Sequence, residues 1–207
     1  MNIRDVFAQA RVVPVMTVDD AEAGLATARA LVSGGLNVLE ITLRTSGALA
    51  AVERIARELP DAVVGVGTVT RADELRRAQE AGARFAVSPG FDPELCQAAQ
   101  ASGIPYMPAV QTGSEIMAAR RLGFTALKFF PAKAAGGRQA LQSFAPVFPD
   151  VMFCPTGGIT AADFVDYLKL GNVIAVGGTF MTPADLVKRR DWRAVEALAR
   201  EIVAGIR

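Results

Sequence analysis

Short apolar runs alternate with helix-period stretches from one end of this chain to the other. The runs begin near Val12, Val38, Val63, Phe85, Tyr106, Ala126, Met152 and Val173, at spacings of 26, 25, 22, 21, 20, 26 and 21 residues. Between them, apolar positions recur at the three- and four-residue intervals of a single helix face. The clearest such stretches are Ala21 to Val32, Ala48 to Glu58, Ala72 to Glu80, Pro93 to Ala101 and Ser114 to Leu122. Strands that alternate with helices in this way pair in parallel, because a crossover helix returns the chain to the end where the previous strand began. Eight units predict a closed (β/α)₈ barrel near the lower size limit of that architecture. An open α/β sheet is the other arrangement that the spacing allows.

The punctuation agrees with this count. Gly34-Gly35, Gly82, Gly103, Gly123 and Gly171 each follow a helical stretch and precede a strand, where a left-handed helix C-cap is expected. Asp19, Ser46, Thr70, Asp92 and Thr160 are candidate N-caps. Ile3 to Gln9 reads as a short lid over the barrel bottom, Pro183 to Arg190 as an extra short helix, and Trp192 to Ile206 as a closing helix. No linker or shift in composition divides the chain, so residues 1–207 are expected to form one domain.

Strand alternation then assigns the polar residues to faces. In the run Val38 to Arg44, Leu39, Ile41 and Leu43 suit packing against helices, which turns Glu40, Thr42 and Arg44 toward the interior and the mouth. In Ala126-Leu127-Lys128-Phe129-Phe130 the same logic turns Lys128 inward. An ammonium in that position loses hydration, which pairing or loss of the proton can offset. A neutral lysine amine is a nucleophile for carbonyls, so Lys128 is a candidate Schiff-base residue. The plainer alternatives are a lysine whose head reaches back to water, or a salt bridge that merely fills the barrel. Thr68 and Thr156 end the third and seventh strands, at the face where such barrels place their active sites.

Composition narrows the chemistry. Histidine is absent, so no Ser-His or Cys-His triad can form and acid–base work falls to carboxylates, Lys, Tyr or water. Cys96 and Cys154 lie 58 positions apart, without metal-ligand spacing, and are expected to be reduced and buried. A net charge of +1 with no basic run argues against nucleic acid or an anionic membrane as a partner. The first residues lack a signal-peptide pattern, and no apolar run of about 18 residues is present. The chain is therefore expected to be soluble and cytoplasmic.

Two further motifs complete a site. Thr156-Gly157-Gly158-Ile159 and Val176-Gly177-Gly178-Thr179 follow the last two strands. Glycines let backbone N–H groups approach an anion, and the helices that follow are expected to add favourable partial charge. A carboxylate at Arg44, a carbonyl at Lys128, a proton acceptor at Glu40 and a phosphate at the glycine loops together describe a phosphorylated 2-oxo acid, whose natural chemistry here is carbon–carbon cleavage through an iminium.

These stretches resemble one family over nearly the whole chain. Val12-Val13-Pro14-Val15, Glu40-Ile41-Thr42-Leu43-Arg44-Thr45, Gly65-Val66-Gly67-Thr68-Val69, Val87-Ser88-Pro89-Gly90, Lys128-Phe129-Phe130-Pro131-Ala132 and Cys154-Pro155-Thr156-Gly157-Gly158-Ile159 are similar to those of the 2-dehydro-3-deoxy-phosphogluconate (KDPG) aldolases, including members credited with 4-hydroxy-2-oxoglutarate aldolase activity. The resemblance implies a homotrimeric class I aldolase of the Entner–Doudoroff pathway that uses neither metal nor cofactor. It would release pyruvate and glyceraldehyde 3-phosphate. By the same resemblance Lys128 forms the Schiff base and Glu40 is the general acid/base. Arg44 and Thr68 contact the pyruvyl carboxylate, Pro89 and Phe130 wall the pocket, and Gly157, Gly158, Gly178 and Thr179 hold phosphate. Thr156 and Thr179 face the C4 hydroxyl. Thr179 and Ala109 depart from the serine and glycine usual in the family. Aldolases for the galactonate epimer are also similar, and a phosphate-binding barrel isomerase or epimerase, or a non-catalytic sugar-phosphate-binding module, would share part of the site.

Overall fold

Each apolar run becomes a strand in the computed structural model, which describes residues 2–206. The chain opens with α1 (Ile3–Ala10), then β1 (Val12–Met16), α2 (Ala21–Ser33), β2 (Val38–Thr42), α3 (Ala48–Glu58), β3 (Val63–Gly67), α4 (Ala72–Glu80), β4 (Ala86–Val87) and α5 (Pro93–Ser102). It continues through β5 (Tyr106–Met107), β6 (Ala109–Val110), α6 (Gly113–Arg121), β7 (Ala126–Phe129), α7 (Gly137–Phe144), β8 (Met152–Pro155), α8 (Phe164–Leu168), β9 (Val176–Gly178), α9 (Ala184–Lys188) and α10 (Trp192–Ile206).

The strands form a parallel run β5-β4-β3-β2-β1-β9 and a parallel run β6-β7-β8. Two seams join them into a ring. Pro108 breaks the fifth strand into β5 and β6, since proline has no N–H for a ladder. Its carbonyl nevertheless accepts the Lys128 N–H at 2.9 Å. At the other seam, parallel bridges link Phe153 to Val173 and Thr156 to Gly177. The fold is a (β/α)₈ barrel, and the open sheet is set aside.

Several local expectations shift. The eighth ladder begins at Val176, paired with Val12, and Val173 contributes only its bridge to β8. Gly35, Gly82, Gly103 and Gly123 adopt left-handed φ, but Gly171 does not. Helix α8 closes instead through right-handed Lys169 and a turn in which the Val173 N–H reaches the Leu170 carbonyl. Asp20, not Asp19, caps α2, accepting from the N–H groups of Glu22 and Ala23. Gly47 replaces Ser46 at the start of α3, because a β-carbon there would fall 2.3 Å from the Asp19 carbonyl oxygen. At α4 the cap position is Arg71, and the Glu74 carboxylate accepts from the N–H groups of both Thr70 and Arg71. Thr160 heads a turn held by Asp163, and α8 starts at Phe164. Asp92 caps α5 as expected.

Two apolar cores result. Leu39, Ile41, Leu127 and Phe129 point outward into the layer between strands and helices. Val13, Val38, Phe85, Met107 and Ala126 fill the lower barrel, closed by Val6 and Phe7 of α1. The Phe7 ring meets Phe85 edge-on at 5.3 Å. Gly65 makes room for that plug, since a β-carbon on it would fall 2.5 Å from the Phe85 ring. The lower barrel is therefore sealed, and the upper half is left for polar groups. Among the described residues no helix is long and apolar enough to cross a membrane.

Candidate active site

The inward side chains of β2 climb from apolar to charged to polar: Val38, Glu40, Thr42. Across the barrel, β7 presents Ala126 and then Lys128. The two charged residues meet in the interior, with Lys128 Nζ 2.8 Å from Glu40 Oε1. Their side chains are only 6% and 3% exposed. Burying two charges costs hydration that their mutual attraction must offset, and removing either one strands the other. The lysine therefore does not turn its head back to bulk water. Cys154, inward on β8 and the register partner of Lys128, belongs to the apolar floor. Burial pushes its thiol up to about 12, with the Lys128 charge working the other way and Glu40 reinforcing the rise. The thiol is thus uncharged under the ion pair at ordinary pH.

Gly67 accommodates the carboxylate from β3. A β-carbon on it would fall 2.0 Å from Glu40 Oε1. Nothing in the pattern of the sequence singles this glycine out; the β2–β3 register, which pairs Thr42 with Gly67, brings it to the carboxylate. Above Glu40, Thr42 donates to the Met16 carbonyl at 3.2 Å and its hydroxyl lies 3.0 Å from that of Thr17. Ala109, the register partner of Lys128, faces the interior beside it and is fully buried.

The remaining candidates lie around the mouth. Arg44 is exposed at the rim beyond β2, and its Nε donates to Thr68 Oγ1 at 3.1 Å. Thr68 holds a left-handed φ of 61°, unusual for a β-branched residue and a mark of local strain at a rim that presents polar groups. The Phe130 ring centroid is 5.5 Å from Lys128 Nζ, close enough for a cation–π contact. Pro89 is half-buried just past β4. Thr156 is buried, and a β-carbon on Gly177 would fall 2.4 Å from its hydroxyl oxygen. The Thr156–Gly177 bridge sets the two glycine loops side by side. Gly157 and Gly158 both take left-handed φ, 102° and 79°. Gly178 is buried and Thr179 exposed. A cavity of about 880 Å³ opens beside Thr17 and Thr179, between α2 and α9.

Helices α8 and α9 begin at Phe164 and Ala184, six residues beyond Gly158 and Gly178. Neither glycine loop is therefore itself the first turn of the helix that follows it. Among the described residues there is also no cluster of three or more metal-ligating side chains.

The model of the KDPG and KHG aldolases matches residues 3–198. The chain belongs to this aldolase family. It is 45% identical over 99% of its length to the 2-dehydro-3-deoxy-phosphogluconate aldolase of Pseudoalteromonas atlantica, covering 95% of that protein. It is 47% identical to the KHG/KDPG aldolase of Escherichia coli K12, covering 94% of this chain and 91% of that one. The KDPG aldolase of Legionella pneumophila, solved with pyruvate captured at low pH as a covalent carbinolamine intermediate, superposes with a TM-score of 0.95 at 42% identity, covering 98% of both chains. In this aldolase, then, the buried amine–carboxylate pair occupies the interior of a barrel whose relatives include one caught bonded to pyruvate.

Proposed function

We propose that this chain is a class I aldolase that cleaves 2-dehydro-3-deoxy-6-phosphogluconate to pyruvate and glyceraldehyde 3-phosphate. The observation that carries the reading is the buried contact of Lys128 Nζ with Glu40 Oε1 at 2.8 Å. Along that hydrogen bond Glu40 takes a proton, and the freed amine adds to the substrate's C2 carbonyl. Glu40 returns that proton to the carbinolamine hydroxyl, which leaves as water and gives an iminium, an electron sink, with Glu40 again a carboxylate. Glu40 then removes the C4 hydroxyl proton, through a water where distance requires it. The C3–C4 bond breaks, its electrons pass to the iminium, and glyceraldehyde 3-phosphate leaves. The enamine takes its proton at C3 from Glu40, and water releases pyruvate and restores Lys128.

Around this chemistry, Arg44 and Thr68 hold the pyruvyl carboxylate, and Pro89 and Phe130 wall the pocket. Thr156 faces the C4 hydroxyl, and Gly157, Gly158, Gly178 and Thr179 receive the phosphate. Holding both ends of the substrate orients C4 over the reacting carbons, which raises rate as well as affinity. The imine provides the electron sink that a metal supplies in other aldolases, so chelators are expected to leave the rate unchanged. A working homotrimer is part of the proposal, supported by the family resemblance and tested by light scattering.

Sodium borohydride with pyruvate should add a stable mass to the peptide containing Lys128. Labelling elsewhere, or none, would overturn the assignment and leave an isomerase or epimerase that uses Glu40 without a covalent lysine. Cleavage of 4-hydroxy-2-oxoglutarate to pyruvate and glyoxylate is a second activity, supported by the double name of the E. coli relative. Parallel assays with gluconate- and galactonate-derived substrates decide the preferred epimer.

A further inference from the structure

The phosphate reading of the glycine loops leaves charge unbalanced. A phosphate monoester carries about −1.5 to −2 charges near neutral pH. The glycine loops themselves offer only the partial charge of backbone N–H groups, and the helices that follow begin at Phe164 and Ala184.

One side chain lies against the first loop. A β-carbon built on Gly158 would fall 2.7 Å from Lys133 Cβ, 3.2 Å from its Cδ and 3.5 Å from its Cγ. The lysine's stem therefore runs across the bare face of this glycine. The Lys133 backbone N–H donates to the Gly157 carbonyl at 3.1 Å, which fixes where the stem begins. Among the described residues the Lys133 side chain has no ion pair or hydrogen bond. Arg138 in α7 and Lys169 after α8, by contrast, are both held by Asp166, at 2.8 and 2.9 Å.

We propose that Lys133 is the cation that binds the substrate's distal phosphate and that it sets the preference for phosphorylated over unphosphorylated aldehydes. This deepens the function proposed above and rests on it. The ammonium, on an exposed residue with a flexible stem, keeps most of its hydration until the ligand arrives and can then swing over the two-glycine loop. Gly158 makes the arrangement feasible. Its left-handed backbone tolerates glycine, and any side chain there would displace the lysine.

Two measurements test this. In a phosphorus NMR titration, inorganic phosphate should bind Lys133→Met about tenfold more weakly than the wild type, the loss of one charge-assisted contact. In pyruvate condensation, the ratio of kcat/KM for glyceraldehyde 3-phosphate to that for glyceraldehyde should fall about tenfold in Lys133→Met, chiefly through KM, and Lys133→Arg should retain most of it. Equal phosphate affinity in wild type and Lys133→Met, or an unchanged ratio, overturns the proposal. Wild-type protein that fails to trap pyruvate overturns the aldolase reading instead, and the phosphate titration still decides whether Lys133 contacts the anion.

Discussion

Gly67 lies so close to Glu40 that a β-carbon on it would fall 2.0 Å from Oε1. No carbon and oxygen approach that closely without bonding, so the carboxylate position depends on the absence of a side chain one strand away. Gly67→Ala is expected to push Glu40 off its line to Lys128. A misplacement of about 1 Å costs on the order of a hundredfold in rate. Gly67 has an ordinary φ, so the backbone should accept alanine and the fold should persist. Steady-state kcat/KM measured beside a thermal melt checks this; full activity in a folded variant would free Glu40 from its assigned place.

Glu40→Gln tests the proton transfers themselves. The amide keeps size and hydrogen bonding but cannot take a proton. Turnover should fall by about 10²–10⁴, the usual contribution of a positioned acid or base. Pyruvate should remain trappable on Lys128 by borohydride, more slowly than in the wild type. Wild-type turnover in this variant removes Glu40 from the mechanism.

Both cysteines should resist thiol reagents until the protein unfolds. Burial pushes the Cys96 thiol up to about 11 and the Cys154 thiol up to about 12. At pH 8 each is therefore neutral, and the thiolate is the reactive form. A colorimetric titration should count no free thiol in the native protein and two in denaturant. Fast native labelling of Cys154 would contradict the closed floor beneath Lys128, and that of Cys96 its burial in the layer between strands and helices.

Much of this was legible in the sequence, for identifiable reasons. The barrel follows from a pattern that repeats every 20–26 residues, and Lys128 and Glu40 stand out because a charge in an apolar strand has few ways to be satisfied. Parity alone then turned both inward. What the pattern could not carry was relation across strands. Gly67 matters only because β2–β3 register sets it against Glu40, and Lys133 only because two loops meet at Gly158. The break at Pro108 was readable in principle, since a proline inside a strand removes a donor. Residue order does not, however, say how far a loop runs before its helix starts: α8 and α9 begin six residues beyond Gly158 and Gly178.

The barrel bottom offers a test of stability separate from chemistry. Phe7 is buried in the lower core and meets Phe85 edge-on. Phe7→Ala would leave a void beneath β1–β4, and such truncations cost about 3–5 kcal/mol. Because the plug lies below the layer of Glu40 and Lys128, kcat of the folded fraction should stay within about threefold of wild type, since distant sites couple weakly. Denaturant unfolding with a parallel activity assay separates the two. A collapse of kcat in folded protein would mean that the floor positions the pair above it.

Acid should weaken the start of α6 through Glu115. Burial raises this carboxyl, but the backbone N–H of Gln111, the Thr112 hydroxyl and the Thr112 N–H more than offset that, and its pKa is lowered overall. The donors lie at 2.8, 2.9 and 2.8 Å. A carboxyl with a depressed folded value contributes stability that is complete above the unfolded value, about 4.3, and is lost as pH falls through the lower folded value. Glu115 is partly exposed, which limits the contribution to about 1 kcal/mol. Glu115→Gln retains a capping acceptor without the charge. Wild type should therefore exceed Glu115→Gln by about 1 kcal/mol at pH 7, and the gap should close as pH drops below about 4. Urea unfolding of both proteins from pH 7 to pH 3 reads the difference directly, and a gap that widened in acid would have the wrong sign for a carboxylate held by hydrogen-bond donors.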